Sequence, residues 1–262
     1  MSVLMKSFCS AFLMYSRIPM PQVEWKEENR RWALCFFPLI GEVIGVLLVT
    51  WYHLCRLIGW GEWLFAAVST AIPILVTGGI HMDGFCDVCD AKASCGSREK
   101  MLAIMSDSHI GAFAAIKTTL YLLVQAGIFS QLFREKSMEL LTVGALIFVL
   151  SRALSGLAAV TFPSAKSDGN LQNFAKPAHK AVTVAVEIFF IALTGAAMLL
   201  MCPSAGIGAI IGAAVTFVYY RTFAYRTFGG ITGDLAGYFL QLCELAGTGG
   251  AVLGYTIGSV LL

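Results

Sequence analysis

Apolar residues run along this chain in long blocks, separated by short clusters that carry most of the charge. Seven blocks stand out, at about 34–51, 63–81, 110–133, 139–162, 181–201, 204–220 and 235–262. A helix needs roughly 20 apolar residues to cross a bilayer. In lipid, backbone N–H and C=O groups must be satisfied within the segment, which makes helices the expected spans. The pattern predicts an all-α fold: a polytopic transmembrane helix bundle of about seven spans, one domain over residues 1–262. The stretch 2–15 reads as a helix lying in the interface. It is not read as a signal peptide, because its apolar run from Phe8 to Tyr15 is short, meets Arg17 and lacks a small-residue cleavage site.

Composition supports the same picture. Of 262 residues, 58% are hydrophobic and only 13% charged, with a mean hydropathy of +0.77. A soluble domain usually carries about 25% charged residues, so most of this surface faces something other than water. A net charge of +2 without a basic run argues against a nucleic-acid partner. With the N-terminus inside, the inside segments hold thirteen of the eighteen lysines and arginines. The outside loops hold Arg56, Arg134 and Lys136, and Lys117 and Arg152 fall within spans. That asymmetry predicts a cytoplasmic N-terminus. All six aspartates (Asp83, Asp87, Asp90, Asp107, Asp168 and Asp234) fall on the same inside segments. Cys9, Cys35, Cys55, Cys202 and Cys243 lie in or beside apolar blocks, where cysteine acts as a small hydrophobe, so no disulfide framework is expected.

Candidate chemistry is densest from His81 to Asp90. Asp83, Asp87 and Asp90 are spaced i, i+4 and i+7, within about 60° of one another on a helix face. No lysine or arginine is interleaved with them. A face of three like charges calls for a cation, and carboxylate oxygens suit Mg²⁺, which keeps several waters and often shares substrate phosphates. A solvated acidic face beside the membrane is the plainer alternative. Cys86, Cys89, Cys95 and His81 would make four zinc ligands. No second Cys-x-x-Cys exists, however, and the pair is interleaved with the aspartates, which favours packing roles. Asp107, in Ser106-Asp107-Ser108-His109, suits a fourth metal ligand, a general base or an N-cap for the following span. Lys166 and Lys176 suit phosphate binding as point charges, or serve only as positive-inside lysines. Arg152 lies within a span and needs a partner or a cavity. Glu244 follows Asp234 by ten residues and is placed toward the same cavity. Finally, Gly78-Gly79-Ile80-His81-Met82-Asp83 recurs as Gly229-Gly230-Ile231-Thr232-Gly233-Asp234. The repeat predicts two backbone turns with similar demands.

In order along the chain, these motifs resemble the cobalamin synthase family, the adenosylcobinamide-GDP ribazoletransferases. The resemblance runs from Ser16-Arg17-Ile18-Pro19-Met20-Pro21 and Phe37-Pro38-Leu39-Ile40-Gly41 through Gly79-Ile80-His81-Met82-Asp83-Gly84. It continues through Asp107-Ser108-His109-Ile110-Gly111 to Gly229–Asp234 and Glu244. It implies an enzyme of the cytoplasmic (inner) membrane, with its active site facing the cytoplasm. It also implies a Mg²⁺-dependent transfer from adenosylcobinamide-GDP to α-ribazole or its 5′-phosphate, with release of GMP. By the same resemblance, Asp83, Asp87 and Asp90 bind Mg²⁺, and Asp107 completes the metal site or acts as base. Substrate contacts are expected from His81, Ser108, His109 and Lys166, and from Thr232, Asp234 and Glu244. Expected partners are the two substrates and membrane lipid, with a homo-oligomer or a complex with other corrinoid enzymes left open. A lipid synthase of the CDP-alcohol phosphatidyltransferase type would carry Ala-Arg after the second aspartate, whereas Val88-Cys89-Asp90 stands here. A divalent-cation transporter would place its carboxylates near the midplane rather than the edge.

Overall fold

The computed structural model of the chain describes residues 2–107, 109–165, 171 and 175–261. Among these the fold is helical throughout, apart from one parallel bridge between Ser164 and Ile231. The helices are α1 (Val3–Tyr15), α2 (Glu27–Arg30), α3 (Phe37–Ile58), α4 (Glu62–Thr77), α5 (Ile80–Ala93), α6 (Arg98–Ile104) and α7 (Ala112–Arg134). They continue with α8 (Met138–Thr161), α9 (Lys180–Met201), α10 (Pro203–Phe223) and α11 (Gly233–Leu261). A single 3-10 turn, Leu34–Phe36, leads into α3, and a π-turn, Ala224–Phe228, ends α10. Each of the seven predicted blocks is largely helical, although the block 63–81 is broken at Gly78-Gly79. Among the described residues five helical stretches are long and apolar enough to cross a membrane, and α4 with α5 makes a sixth only if taken together across a 96° bend. The glycines of α11, with Gln241 and Glu244, dilute its hydropathy.

Local chemistry sets the boundaries. Pro38 opens α3, where its missing N–H costs nothing, and Gly59 closes it in the left-handed conformation. Ser137 caps α8 by accepting the Leu140 amide. α8 is the buried centre of the bundle and packs against α3, α9 and α11. Much of α7, α9 and α10 faces outward instead. On α10 the exposed residues Ile207, Ile211, Val215 and Val218 form one apolar stripe suited to lipid. About a quarter turn round α10 from that stripe, Gly208 and Gly212 meet the backbone of Gly250 and Ala246 with no room for a Cβ, a close helix contact of the small-residue kind.

The two ends of the bundle differ. At one end Arg134 approaches Glu62 at 3.5 Å, and Arg56 lies over the Phe133 ring. At the other end lie the two Gly-Gly turns and the five described aspartates. Gly78 (φ 66°) and Gly229 (φ 74°) each end a helix in the left-handed region. The repeated motif therefore marks two similar helix stops, as its sequence predicts. In each case the aspartate that follows falls in the first turn of the next helix, Asp83 in α5 and Asp234 in α11.

Candidate active site

A close helix crossing builds the site. A Cβ at Gly84 would fall 2.7 Å from the Cα and carbonyl oxygen of Asp234, and one at Gly237 would fall 2.8 Å from the carbonyl oxygen of His81. Two glycines, one on each helix, therefore let α5 and α11 touch backbone to backbone. The contact brings their first turns together, where the helix dipole favours carboxylates. Asp83 and Asp234 line the same cavity, about 140 Å³ in volume. Its walls are Tyr15, Leu34, Phe37, Ala159 and Leu240, with His81 and Ser155 as the polar members among them. On its other side Asp83 lines an open cleft with Arg17, Thr77, Gly78, Gly79 and Cys86. Asp83 thus stands where the cavity and the cleft meet.

Arg17 is held in that cleft by its backbone N–H, which donates to the Val76 carbonyl at 2.7 Å. Its side chain lies so close against Gly78 that no Cβ fits there. Among the described residues it has no acidic partner. In the sequence Arg17 stands out only as the charge that ends the first apolar run and as part of a motif. Its signal was a lone cation at the end of an apolar helix, two residues before a Pro-x-Pro.

Asp87 sits one turn beyond Asp83, half-buried. Burial first, then the neighbouring charges of Asp83, Asp234 and Asp90, push its carboxyl up to about 7. Three neighbouring carboxylates therefore act on Asp87 at this end of the bundle. Neither Asp83 nor Asp87 forms an ion pair with Lys or Arg among the described residues. Such an assembly suits a cation bound by one or two carboxylates together with a substrate's phosphates. Among the described residues no three His, Cys, Asp or Glu side chains could hold a metal ion unaided.

Asp90 does something the sequence did not suggest. Its Oδ2 accepts the Gly111 amide at 2.6 Å and its Oδ1 accepts the Ala114 amide at 2.8 Å. It caps α7 across the chain, and a Cβ on Gly111 would strike its carboxylate. The N-cap considered for Asp107 therefore belongs to Asp90. Asp107 turns to its own loop, accepting the His109 amide at 3.0 Å and contacting His109 Nδ1 at 2.6 Å. That hydrogen bond holds its carboxyl below the usual carboxylate range. Asp107, His109 and Asp90 line a shallow pocket, while neither Asp107 nor His109 lines the Asp83–Asp234 cavity.

Two further expected contacts have other occupations. Thr232 is buried, and its hydroxyl accepts the Leu235 amide at 3.2 Å to cap α11. Glu244, expected to face the same cavity as Asp234, lies ten residues, or about 15 Å, further along the helix. It pairs with Arg152 at 2.8 Å, both side chains 1% exposed. Arg152 thus has the partner that a charge within a span requires. Ser108 and Lys166 lie outside the described residues. All eight cysteines are free thiols. Cys89 is buried and Cys86 contacts Thr118 at 3.1 Å, as packing residues would.

Comparison with known proteins gives a consistent result. The family model described as cobalamin-5-phosphate synthase matches residues 7–252. A protein of Lachnoclostridium phytofermentans named adenosylcobinamide-GDP ribazoletransferase is 45% identical over 241 residues, covering 92% of this chain and 91% of that one. A Clostridium perfringens protein of the same name is 31% identical over 252 residues, covering 94% and 97%. No solved structure matches the chain.

Proposed function

The chain belongs to the cobalamin-5-phosphate synthase family, and from that premise we propose that it is an adenosylcobinamide-GDP ribazoletransferase. A ribose hydroxyl of α-ribazole, or of its 5′-phosphate, attacks the phosphorus nearest the corrinoid. GMP leaves, and adenosylcobalamin or its 5′-phosphate forms. The observation that carries this reading is the position of Asp83, shared between an aromatic cavity and an open cleft that holds Arg17. A transferase needs two substrates to meet at one point, and Asp83 marks that point.

Phosphoryl transfer asks a protein for alignment and charge neutralisation more than for covalent chemistry. Arg17 supplies positive charge to the diphosphate from the cleft. Asp83 and Asp87 would hold Mg²⁺ beside that diphosphate, and Asp234 closes the site from α11. A Mg²⁺ ion held by these carboxylates would supply charge neutralisation to the phosphates. A carboxylate at the cavity rim, Asp83 or Asp234, takes the proton of the attacking hydroxyl. Asp90 acts at one remove, fixing α7 against α5.

The same reading places about seven helices across the cytoplasmic (inner) membrane, with the N-terminus and the active site on the cytoplasmic side. The Lys and Arg asymmetry of the loops supports this orientation, as does the gathering of aspartates at one end.

The test is GMP release by the purified, detergent-solubilised chain given adenosylcobinamide-GDP and α-ribazole, with Mg²⁺ and then with EDTA. Release that depends on Mg²⁺ and on acceptor, and that falls by at least about 100-fold in Asp83→Asn, is expected. No release from folded protein with either acceptor form would overturn the function. Full activity in folded Asp83→Asn would overturn the metal assignment alone.

A further inference from the structure

The cavity beside Asp83 has a composition that selects among the parts of the two substrates. Tyr15 and Phe37 pack ring to ring at 4.6 Å, and His81 meets Phe37 edge-on at 6.0 Å. The three rings form one aromatic wall, faced by aliphatic Leu34, Ala159 and Leu240. His81 is 5% exposed, and its Nδ1 has no hydrogen-bond partner among the described residues. A buried, unpaired ring nitrogen is a cost that a ligand can remove.

A cavity of about 140 Å³ is far too small for a corrin ring. It suits a flat bicyclic base. Two such bases enter the proposed reaction, the guanine of the donor and the benzimidazole of the acceptor. Guanine presents donors and acceptors around most of its edge, and apolar walls would leave most of them unsatisfied. A ribosyl-linked benzimidazole presents hydrocarbon and one free ring nitrogen, which matches apolar walls with one unsatisfied histidine.

Resting on the ribazoletransferase reading, we infer that this cavity seats the acceptor's bicyclic azole base, with its free ring nitrogen accepting a hydrogen bond from His81. The ribose then points to the rim, where Asp83 and Asp234 stand. The donor's diphosphate lies on the opposite side of Asp83, in the cleft with Arg17. His81 is thus a positioning and specificity residue for the acceptor.

The experiment is steady-state GMP release by the full-length, detergent-solubilised chain at saturating adenosylcobinamide-GDP. The acceptors are the ribosides of 5,6-dimethylbenzimidazole, imidazole and indole. Ala159→Phe puts a ring into the cavity, and Ala159→Leu fills it less if the larger side chain prevents folding. Either substitution is expected to raise KM for the dimethylbenzimidazole riboside by at least about tenfold. KM for the imidazole riboside and for the donor is expected to change by less than about twofold. His81→Phe keeps the ring and removes the hydrogen bond. It is expected to raise KM at least about tenfold for the dimethylbenzimidazole riboside but to leave the indole riboside, which lacks the free nitrogen, nearly unchanged. Equal losses on all acceptors, a raised donor KM, or insensitivity to either substitution overturns the cavity assignment while wild-type turnover still stands. Absence of wild-type turnover with every acceptor overturns the transferase reading itself. Thermal unfolding of each variant separates these outcomes from misfolding.

Discussion

The crossing of α5 and α11 should be the most sensitive point in the molecule to a single methyl group. At Gly84 an added Cβ would lie 2.7 Å from Asp234, whereas carbon atoms rest at about 3.5–4.0 Å. Gly84→Ala therefore forces the helices about 1 Å apart. Neither listener to that shift can yield locally, because the atoms struck are the backbone Cα and carbonyl oxygen of Asp234 rather than the end of a flexible side chain. Overpacking of this kind costs about 1–3 kcal/mol, which leaves the protein folded. A misplacement of about 1 Å between catalytic groups costs on the order of 100-fold in rate. The expected result is a folded variant, with an unfolding midpoint a few degrees lower, whose kcat for GMP release falls about 100-fold. Gly127→Ala is the control. It lies mid-helix on the outer face of α7 with no atom within 4 Å of the added Cβ, so alanine there should add about 0.5–1 kcal/mol of helix stability and leave kcat unchanged. A Gly84→Ala enzyme as fast as the parent would refute the idea that Asp83 and Asp234 act as a pair set by this contact.

Other consequences follow from individual residues. Asp90→Ala removes two N–H acceptors from the start of α7 and should cost about 1–2 kcal/mol, with Asp90→Asn costing less. Thermal unfolding with and without Mg²⁺ distinguishes this capping role, which is lost equally in both, from a purely metal-binding one. Glu244→Gln leaves Arg152 as an uncompensated buried cation and should cost about 3–5 kcal/mol, most of it regained in the Arg152→Met, Glu244→Leu double variant. Neutral single variants would show that the pair does not hold the bundle. Asp87 is raised from 3.8 to about 7 in the folded protein. Its contribution to stability is therefore complete below pH 4 and is lost as pH rises through 7. Mg²⁺ should reverse that loss, so stabilisation by Mg²⁺ in a thermal melt should be larger at pH 8 than at pH 6. Equal stabilisation at both values would remove Asp87 from the cation site.

Sequence alone determined the helical, membrane-type architecture, because apolar block length and the scarcity of charge are properties of the chain and not of its packing. It also determined the two glycine stops, since a left-handed helix end is a local demand that glycine meets locally. The gathering of aspartates at one end was likewise legible, because alternating blocks carry successive polar segments to alternate ends. Which carboxylates act together was decided only by tertiary structure. Asp83, Asp87 and Asp90 share one helix face, yet Asp90 is engaged with the amides of α7, a partner 21 and 24 residues away. Asp83 finds its neighbour in Asp234, 151 residues distant, because Gly84 and Gly237 let two backbones touch. Glu244, on the same helix as Asp234, is held away from the site by a pairing with Arg152 that no spacing along the chain reveals. Local rules govern where a helix starts and stops. The choice of partner for a buried charge depends on which helices cross, and that depends on shape complementarity summed over the whole bundle.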